Sequence, residues 1–430
     1  MSVARITAAA SPLFAQLTLS GDKSVSIRRA LLSLYTPDTI RLTNFGAGED
    51  CETALRCLVS LGKRVERGEV FVTIKHRETV RKATLDCRNS GTTARLLMGV
   101  LAGRDGEWTL EGDESLSNRP MERVAQPLRT MGAQIELSPG GVLPARLIGR
   151  PLVGTDHNLT LSSAQVKSAL LLAGLSANGA TRVREPFPSR DHTERLLGLA
   201  QDADGWWSVD KSNVPDATLV LRGTIPGDIS SAAFWAVAAS LVTGSDIELK
   251  NVVLNPTRTS WIRSLKNSGA DIVERVERTT AGEPAGSLHF KYGVLRPLRI
   301  TTQDVPGLID EIPALAVLAA TIDGESIFEN VGELRLKESD RLQAIVEGLA
   351  EMGADVSVTG QNLHVTGGKK RKGVKISPNH DHRIAMAFAL AGLVAEGVTT
   401  IEQAECAAVS YPGFFADLKK MAENSVTLSE

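Results

Sequence analysis

Residues 20–34 read SGDKSVSIRRALLSL, a short polar turn with a glycine that runs into an apolar stretch at helical spacing. The pattern returns as RNSGTTARLLMGVLAG at 88–103, LSSAQVKSALLLAGL at 161–175, PGDISSAAFWAVAASL at 226–241, LIDEIPALAVLAAT at 308–321 and HDHRIAMAFALAGLV at 380–394. Successive copies start 65 to 82 residues apart. An arbitrary mixture of helices and strands has no reason to keep such a period, so the chain reads as six repeats.

A second helical pattern follows each copy, opening on a capping or charged turn and usually ending in glycine before a β-rich stretch. Examples are GEDCETALRCLVSLG (48–62), NRPMERVAQPLRTMGAQIEL (118–137) and KESDRLQAIVEGLAEMGADVSV (337–358). Short strands such as VFVTI (70–74), LHF (288–290) and NLHVTGG (362–368) complete the units. A unit of about 70 residues buries too little apolar surface to be comfortable alone, so neighbours share cores, three units to a lobe. The early strand ARITA (4–8) has no unit of its own and is expected to pair with the last lobe.

The chain has 430 residues, with 48 Lys and Arg against 50 Asp and Glu and a formal charge of −2. That balance argues against a partner coated in phosphate, such as a nucleic acid or a membrane surface. No apolar run is long enough to span a bilayer, and the first residues lack a basic segment followed by a sustained apolar one. A cytoplasmic protein is the expectation. Cys51, Cys57, Cys87 and Cys406 form no CxxC pair, which favours free thiols over disulfides or zinc. HExxH, GxSxG and GxxxxGK[ST] are absent, so neither a metal, a covalent serine nor a P-loop nucleotide is expected.

Helix N-termini carry partial positive charge and normally attract acids. Here bases recur at helix starts: Lys23 with Arg28, Arg119 with Arg123, Arg190, Arg258, Lys337 with Arg341, and Arg383. Small donors accompany them, among them Ser24, Asn89, Gly91, Thr92, Ser163 and Gln165. Any one of these bases is more often a solvated group or the partner of a nearby acid; Arg123 with Glu122 and Arg195 with Asp191 fit that description. Their recurrence suggests a site for multiply charged phosphate or carboxylate substrates. The acids read as spread elsewhere. Asp310 and Glu338 are candidates for proton transfer, whereas Glu311 and Asp340 read as helix caps. His382 is equally an anion donor or a brace for its turn.

The motifs GDKS (21–24), NSGTTAR (89–95), RPMER (119–123), SAQVK (163–167), NPTR (255–258), LKESDR (336–341) and DHRIAM (381–386) occur in order. Together they resemble the 5-enolpyruvylshikimate-3-phosphate (EPSP) synthases over residues 19 to 415, with GDKS, RPMER, SAQVK and NPTR similar to the class II, glyphosate-tolerant form. The resemblance implies an α/β (α+β) fold, the two-lobed enolpyruvyl transferase fold, with six βαβαββ repeats arranged as two three-unit lobes. One lobe would be residues 19–226 and the other 1–18 plus 227–430, with the active site in the cleft between them. It further implies a monomer without cofactor, acting on two small anions.

The implied reaction transfers the enolpyruvyl group of phosphoenolpyruvate to the 5-hydroxyl of shikimate 3-phosphate and releases phosphate through a tetrahedral adduct. By matched motif, Lys23, Ser24, Arg28, Ser163, Ala164, Gln165, Arg190, Asp310 and Lys337 would hold shikimate 3-phosphate. Lys23, Gly91, Thr92, Arg119, Gln165, Arg341 and Arg383 would line the phosphoenolpyruvate site. Asp310 would be the base near the attacking hydroxyl, and Glu338 with Lys23 the pair that moves protons at the methylene carbon and the leaving phosphate. Two positions depart from the family. Val409 stands where many relatives carry a lysine, and Gly91 is retained where some strongly tolerant class II members have alanine, so the motifs point both ways on glyphosate. One rival is the sister transferase acting on UDP-N-acetylglucosamine, which uses a loop cysteine; the corresponding GDESLSNRP (112–120) has none. The other is a repeat-built scaffold that binds anions without turnover.

Overall fold

A computed structural model of the chain describes residues 2–68, 70–212 and 222–429. Its principal helices are α1 (Lys23–Leu32), α2 (Glu49–Ser60), α3 (Gly91–Ala102), α4 (Glu122–Thr130), α5 (Ala164–Gly174), α6 (His192–Leu196), α7 (Ile229–Leu241), α8 (Ser260–Asn267), α9 (Ile312–Ala319), α10 (Arg341–Glu351), α11 (His382–Gly392) and α12 (Phe414–Met421). Odd-numbered helices are the recurring apolar runs, and even-numbered ones are their companions.

The described residues form six sheets. Strand Lys82–Asp86 leads into α3 and pairs in parallel with Glu107–Glu111; after α4, the antiparallel pair Gln134–Ser138 and Val142–Ile148 completes the sheet. The same βαβαββ order builds the sheet from Phe14–Thr18 with α7 and α8, and the sheet from Arg299–Ile300 with α9 and α10. In two other sheets, as with Phe14–Thr18, a distant segment supplies a strand. Gly223–Thr224 lies parallel to Ile40–Thr43, and Val3–Thr7 is sandwiched between Val398–Ile401 and Val426–Ser429. The second case gives the early strand a place beside the final repeat.

The chain divides into two units. One holds Gly21–Pro226 with Thr279–Glu283, and the other holds Met1–Ser20, Gly227–Arg278 and Pro284–Glu430. The odd helices form the cores. Every residue of α9 and α11 is buried, as expected of helices apolar on all sides, and α7, α9 and α11 pack on one another. In the first unit α3 runs along α5. A Cβ on Gly99 would fall 2.1 Å from the Ala169 carbonyl oxygen, so only glycine allows these backbones to approach so closely. All four cysteines are buried free thiols. Among the described residues no helix is long and apolar enough to cross a membrane.

Candidate active site

The bases at helix starts are accommodated by caps that precede them. The Asp22 carboxylate accepts the Val25 N–H at 2.9 Å immediately before Lys23. Asp340 accepts the Gln343 N–H at 2.9 Å immediately before Arg341, and Asp381 accepts the N–H of Arg383 itself at 2.9 Å. Each acid satisfies an orphan donor and offsets the helix dipole, which leaves the following cation electrostatically tolerable. Ser90 and Ser163 cap α3 and α5 in the same manner without adding charge.

In the Gly21–Pro226 unit, Lys23 opens α1 with its Nζ 2.8 Å from Asp50 Oδ2. Arg28, one turn on, is buried and donates to the Ser24 carbonyl at 3.1 Å, Ser168 Oγ at 3.0 Å and Thr193 Oγ1 at 2.9 Å. Gly91 and Thr92 form the first turn of α3, while Ser163, Ala164 and Gln165 begin α5. Gln165 ties these two helix starts: its Nε2 donates to Thr92 Oγ1 at 3.0 Å, and its Oε1 accepts from Arg95 Nη1 at 2.9 Å. Arg119 is buried, donating to Asn89 Oδ1 at 2.5 Å and Ser115 Oγ at 2.9 Å. Arg190 is half-buried and immediately precedes Asp191, the cap residue of α6.

In the other unit, Asp310, Lys337, Glu338, Arg341 and Arg383 form one network. Arg341 is its hub, with its side chain 1% exposed. Its Nε donates to Asp381 Oδ2 at 2.7 Å, Nη1 meets Asp310 Oδ1 at 3.2 Å, and Nη2 lies 2.6 Å from Glu338 Oε2. Burial opposes the charge on Arg341, but Asp381, Glu338 and Asp310 more than offset that and hold the guanidinium protonated beyond its ordinary range. Lys337 Nζ stands 3.5 Å from Asp310 Oδ1. Arg383 donates to the Asp310 carbonyl at 2.9 Å and lies 3.6 Å from Glu311 Oε1.

This network corrects the expectation that acids are spread away from the bases. Asp310, Glu311, Glu338 and Asp381 are interleaved with Lys337, Arg341 and Arg383, because guanidinium groups this deeply buried need ionic partners. Asp340 caps as expected. Glu311 occupies the cap position of α9 without a capping side-chain bond; its carboxylate serves Arg383 instead. Arg195 pairs Asp191 at 2.8 Å, and Glu122 pairs Arg129 at 2.5 Å. His382 is buried at the first position of α11. Sequence reasoning missed Asp50, Arg95, Ser168, Thr193 and Asp381 as parts of the two clusters. For Arg95 and Asp381 a signal existed, since both lie inside motifs that already supplied site residues. Asp50, Ser168 and Thr193 carry no such mark.

The arrangement suits anions: helix starts with small hydroxyls, backed by buried cations. The family model for EPSP synthase (3-phosphoshikimate 1-carboxyvinyltransferase) matches residues 7–418. The chain is 42% identical over 436 residues to the 3-phosphoshikimate 1-carboxyvinyltransferase of Synechococcus sp. strain WH7803, covering 98% of each. It is 42% identical to that of Limosilactobacillus fermentum, covering 94% of this chain and 96% of the relative. A solved EPSP synthase from Acinetobacter baumannii superposes over 100% of both chains with a TM-score of 0.85 at 37% identity.

Proposed function

This chain belongs to the EPSP synthase family, and from that premise we infer that its two polar clusters bind and activate one pair of substrates. It transfers the enolpyruvyl group of phosphoenolpyruvate to the 5-hydroxyl of shikimate 3-phosphate, with release of phosphate, in aromatic amino-acid biosynthesis. What supports the residue assignment is the Arg341 hub, whose guanidinium lies 3.2 Å from Asp310 Oδ1 and 2.6 Å from Glu338 Oε2. We further infer a monomer working in a reducing compartment, where its buried cysteines stay thiols.

Arg28, Arg190, Lys337 and the Ser163–Gln165 turn hold shikimate 3-phosphate with Lys23 and Ser24. Arg119, Arg341, Arg383, Gln165 and the Gly91–Thr92 turn receive phosphoenolpyruvate with Lys23. Asp310 accepts the proton of the 5-hydroxyl as its oxygen bonds to C2 of phosphoenolpyruvate. Glu338 and Lys23 deliver a proton to C3, giving the tetrahedral adduct. The same groups then take a C3 proton back as the C2–O bond to phosphate breaks, and the proton first taken up by Asp310 passes to the leaving phosphate, which restores the Asp310 carboxylate. Positioned charges around both anions account for most of the acceleration such a site supplies.

Phosphate release measured with each substrate alone and with both tests the reading. Release requiring both anions is expected. Release with phosphoenolpyruvate and UDP-N-acetylglucosamine in place of shikimate 3-phosphate would reassign the chain to the sister reaction, and binding without release would make it a scaffold.

Gly91 offers a second test. A Cβ there would stand 2.7 Å from Arg95 Nη1 and 3.5 Å from Arg119 Nη1. Arg95 is buried and committed to Gln165 and to the Pro120 carbonyl, so it yields only by loosening Gln165. Gly91→Ala is therefore expected to raise KM for phosphoenolpyruvate about three- to tenfold, the worth of one hydrogen bond, and to raise that for shikimate 3-phosphate as well, since Gln165 serves both. Initial-rate kinetics with each substrate varied would show it; an unchanged phosphoenolpyruvate KM would break the link from Gly91 to Gln165.

A further inference from the structure

Lys167 lies two residues beyond Gln165 on α5, and its side chain is only 1% exposed. Its ammonium stands 2.6 Å from Glu185 Oε1 and 2.8 Å from Glu194 Oε1, both carboxylates being buried as well. Interior ion clusters contribute little net stability, because desolvating the charges costs about what their attraction returns. One ammonium serving two buried acids therefore calls for a reason other than stability, and the bonds made by its partners supply one.

Glu185 accepts the backbone N–H of Ser189 at 2.7 Å and the Ser189 hydroxyl at 2.6 Å, which fixes the residue immediately before Arg190. Glu194 lies in α6 next to Thr193. The Thr193 hydroxyl accepts Arg28 Nε at 2.9 Å and donates to Ser168 Oγ at 2.8 Å. Ser168, adjoining Lys167 on α5, accepts Arg28 Nη2 at 3.0 Å. Three segments that carry Gln165, Arg190 and the anchor of Arg28 thus converge on a single ammonium group.

We propose that Lys167 is a positioning residue for shikimate 3-phosphate, holding Arg28 and Arg190 at fixed separation through Glu194 and Glu185. It has this role only if Arg28 and Arg190 hold that substrate, as inferred above. Wild-type affinity for shikimate 3-phosphate, measured by isothermal titration calorimetry without phosphoenolpyruvate, tests that premise. Wild type that turns over but binds no shikimate 3-phosphate through these arginines, seen as unchanged affinity in Arg28→Ala, would overturn the premise and the proposal together.

The proposal itself is tested in Lys167→Met/Glu194→Gln, which removes one charge of each sign and leaves Glu185 to the Ser189 donors. A cooperative melting transition checks its fold. The expected result is about tenfold weaker binding of shikimate 3-phosphate, the scale of loss when a binding group is left without its support. KM for phosphoenolpyruvate and kcat should change far less, and Lys167→Arg, which keeps the charge, should stay close to wild type. A folded double variant with wild-type affinity would overturn the proposal. If the double variant does not fold, Glu194→Gln alone, which releases only the α6 tether, is expected to weaken binding about threefold; wild-type affinity there would equally overturn it.

Discussion

Glu338→Gln is expected to abolish nearly all turnover, lowering kcat about 10²- to 10⁴-fold, the range seen when a positioned general acid or base is removed. The side chain keeps its size and its reach to Arg341 Nη2, so substrate affinities should hold within a few-fold. Fold should hold too: Arg341 retains Asp310 and Asp381, and one fewer carboxylate around a buried guanidinium leaves its charge better balanced. Asp340→Asn is the internal control. Asp340 lies two residues away on the same turn, but its carboxylate caps α10, and asparagine caps about as well as aspartate. Near-normal kcat is expected there. Phosphate release in single turnover, with both substrates saturating, separates the two variants. A Glu338→Gln enzyme within about threefold of wild type, well outside the range for an acid–base group, would remove Glu338 from the proton transfers.

The six-repeat architecture was legible because the apolar helices are buried on every side. Runs such as IPALAVLAAT and RIAMAFALAGLV therefore carry almost no polar interruption and stand out from a chain of ordinary composition. Cations at helix starts were legible for a related reason, since they contradict the dipole and ask for an explanation. What explains them was less visible. Asp22, Asp340 and Asp381 each stand one or two residues ahead of the base they accommodate, yet aspartate before a helix is so common a cap that its second role at Arg341 leaves no local trace. Of the acids at Arg341 only Glu338, three residues ahead of it, is a neighbour in sequence; Asp310 and Asp381 come from separate segments that only folding brings together. Ser168 and Thr193 are hidden for the same reason. They hold Arg28 from positions 140 and 165 residues away along the chain, and nothing in a run of small polar residues distinguishes a side chain that orients an arginine from one that faces water.

Arg341→Met should do the greatest combined damage to stability and function. Its side chain is 1% exposed, and that of Asp381 is fully buried. Methionine matches the length and packing of the stem but leaves Asp381 without its ionic partner, and Asp310 and Glu338 with less positive charge. Breaking a buried ion pair from one side costs about 3–5 kcal/mol, because the remaining charge stays desolvated. In a unit of this size that corresponds to a fall in melting temperature of about 10 °C. Phosphoenolpyruvate binding should fail in the same variant, and the two losses can be separated. Adding Asp381→Asn removes the stranded charge while asparagine still accepts the Arg383 N–H that caps α11. Arg341→Met/Asp381→Asn should therefore recover much of the melting temperature and none of the phosphoenolpyruvate affinity. The opposite pattern, affinity returning with stability, would mean that Arg341 supports the fold and that another cation receives the substrate. A single variant that melts with wild type would show that the three carboxylates do not depend on Arg341 for their burial.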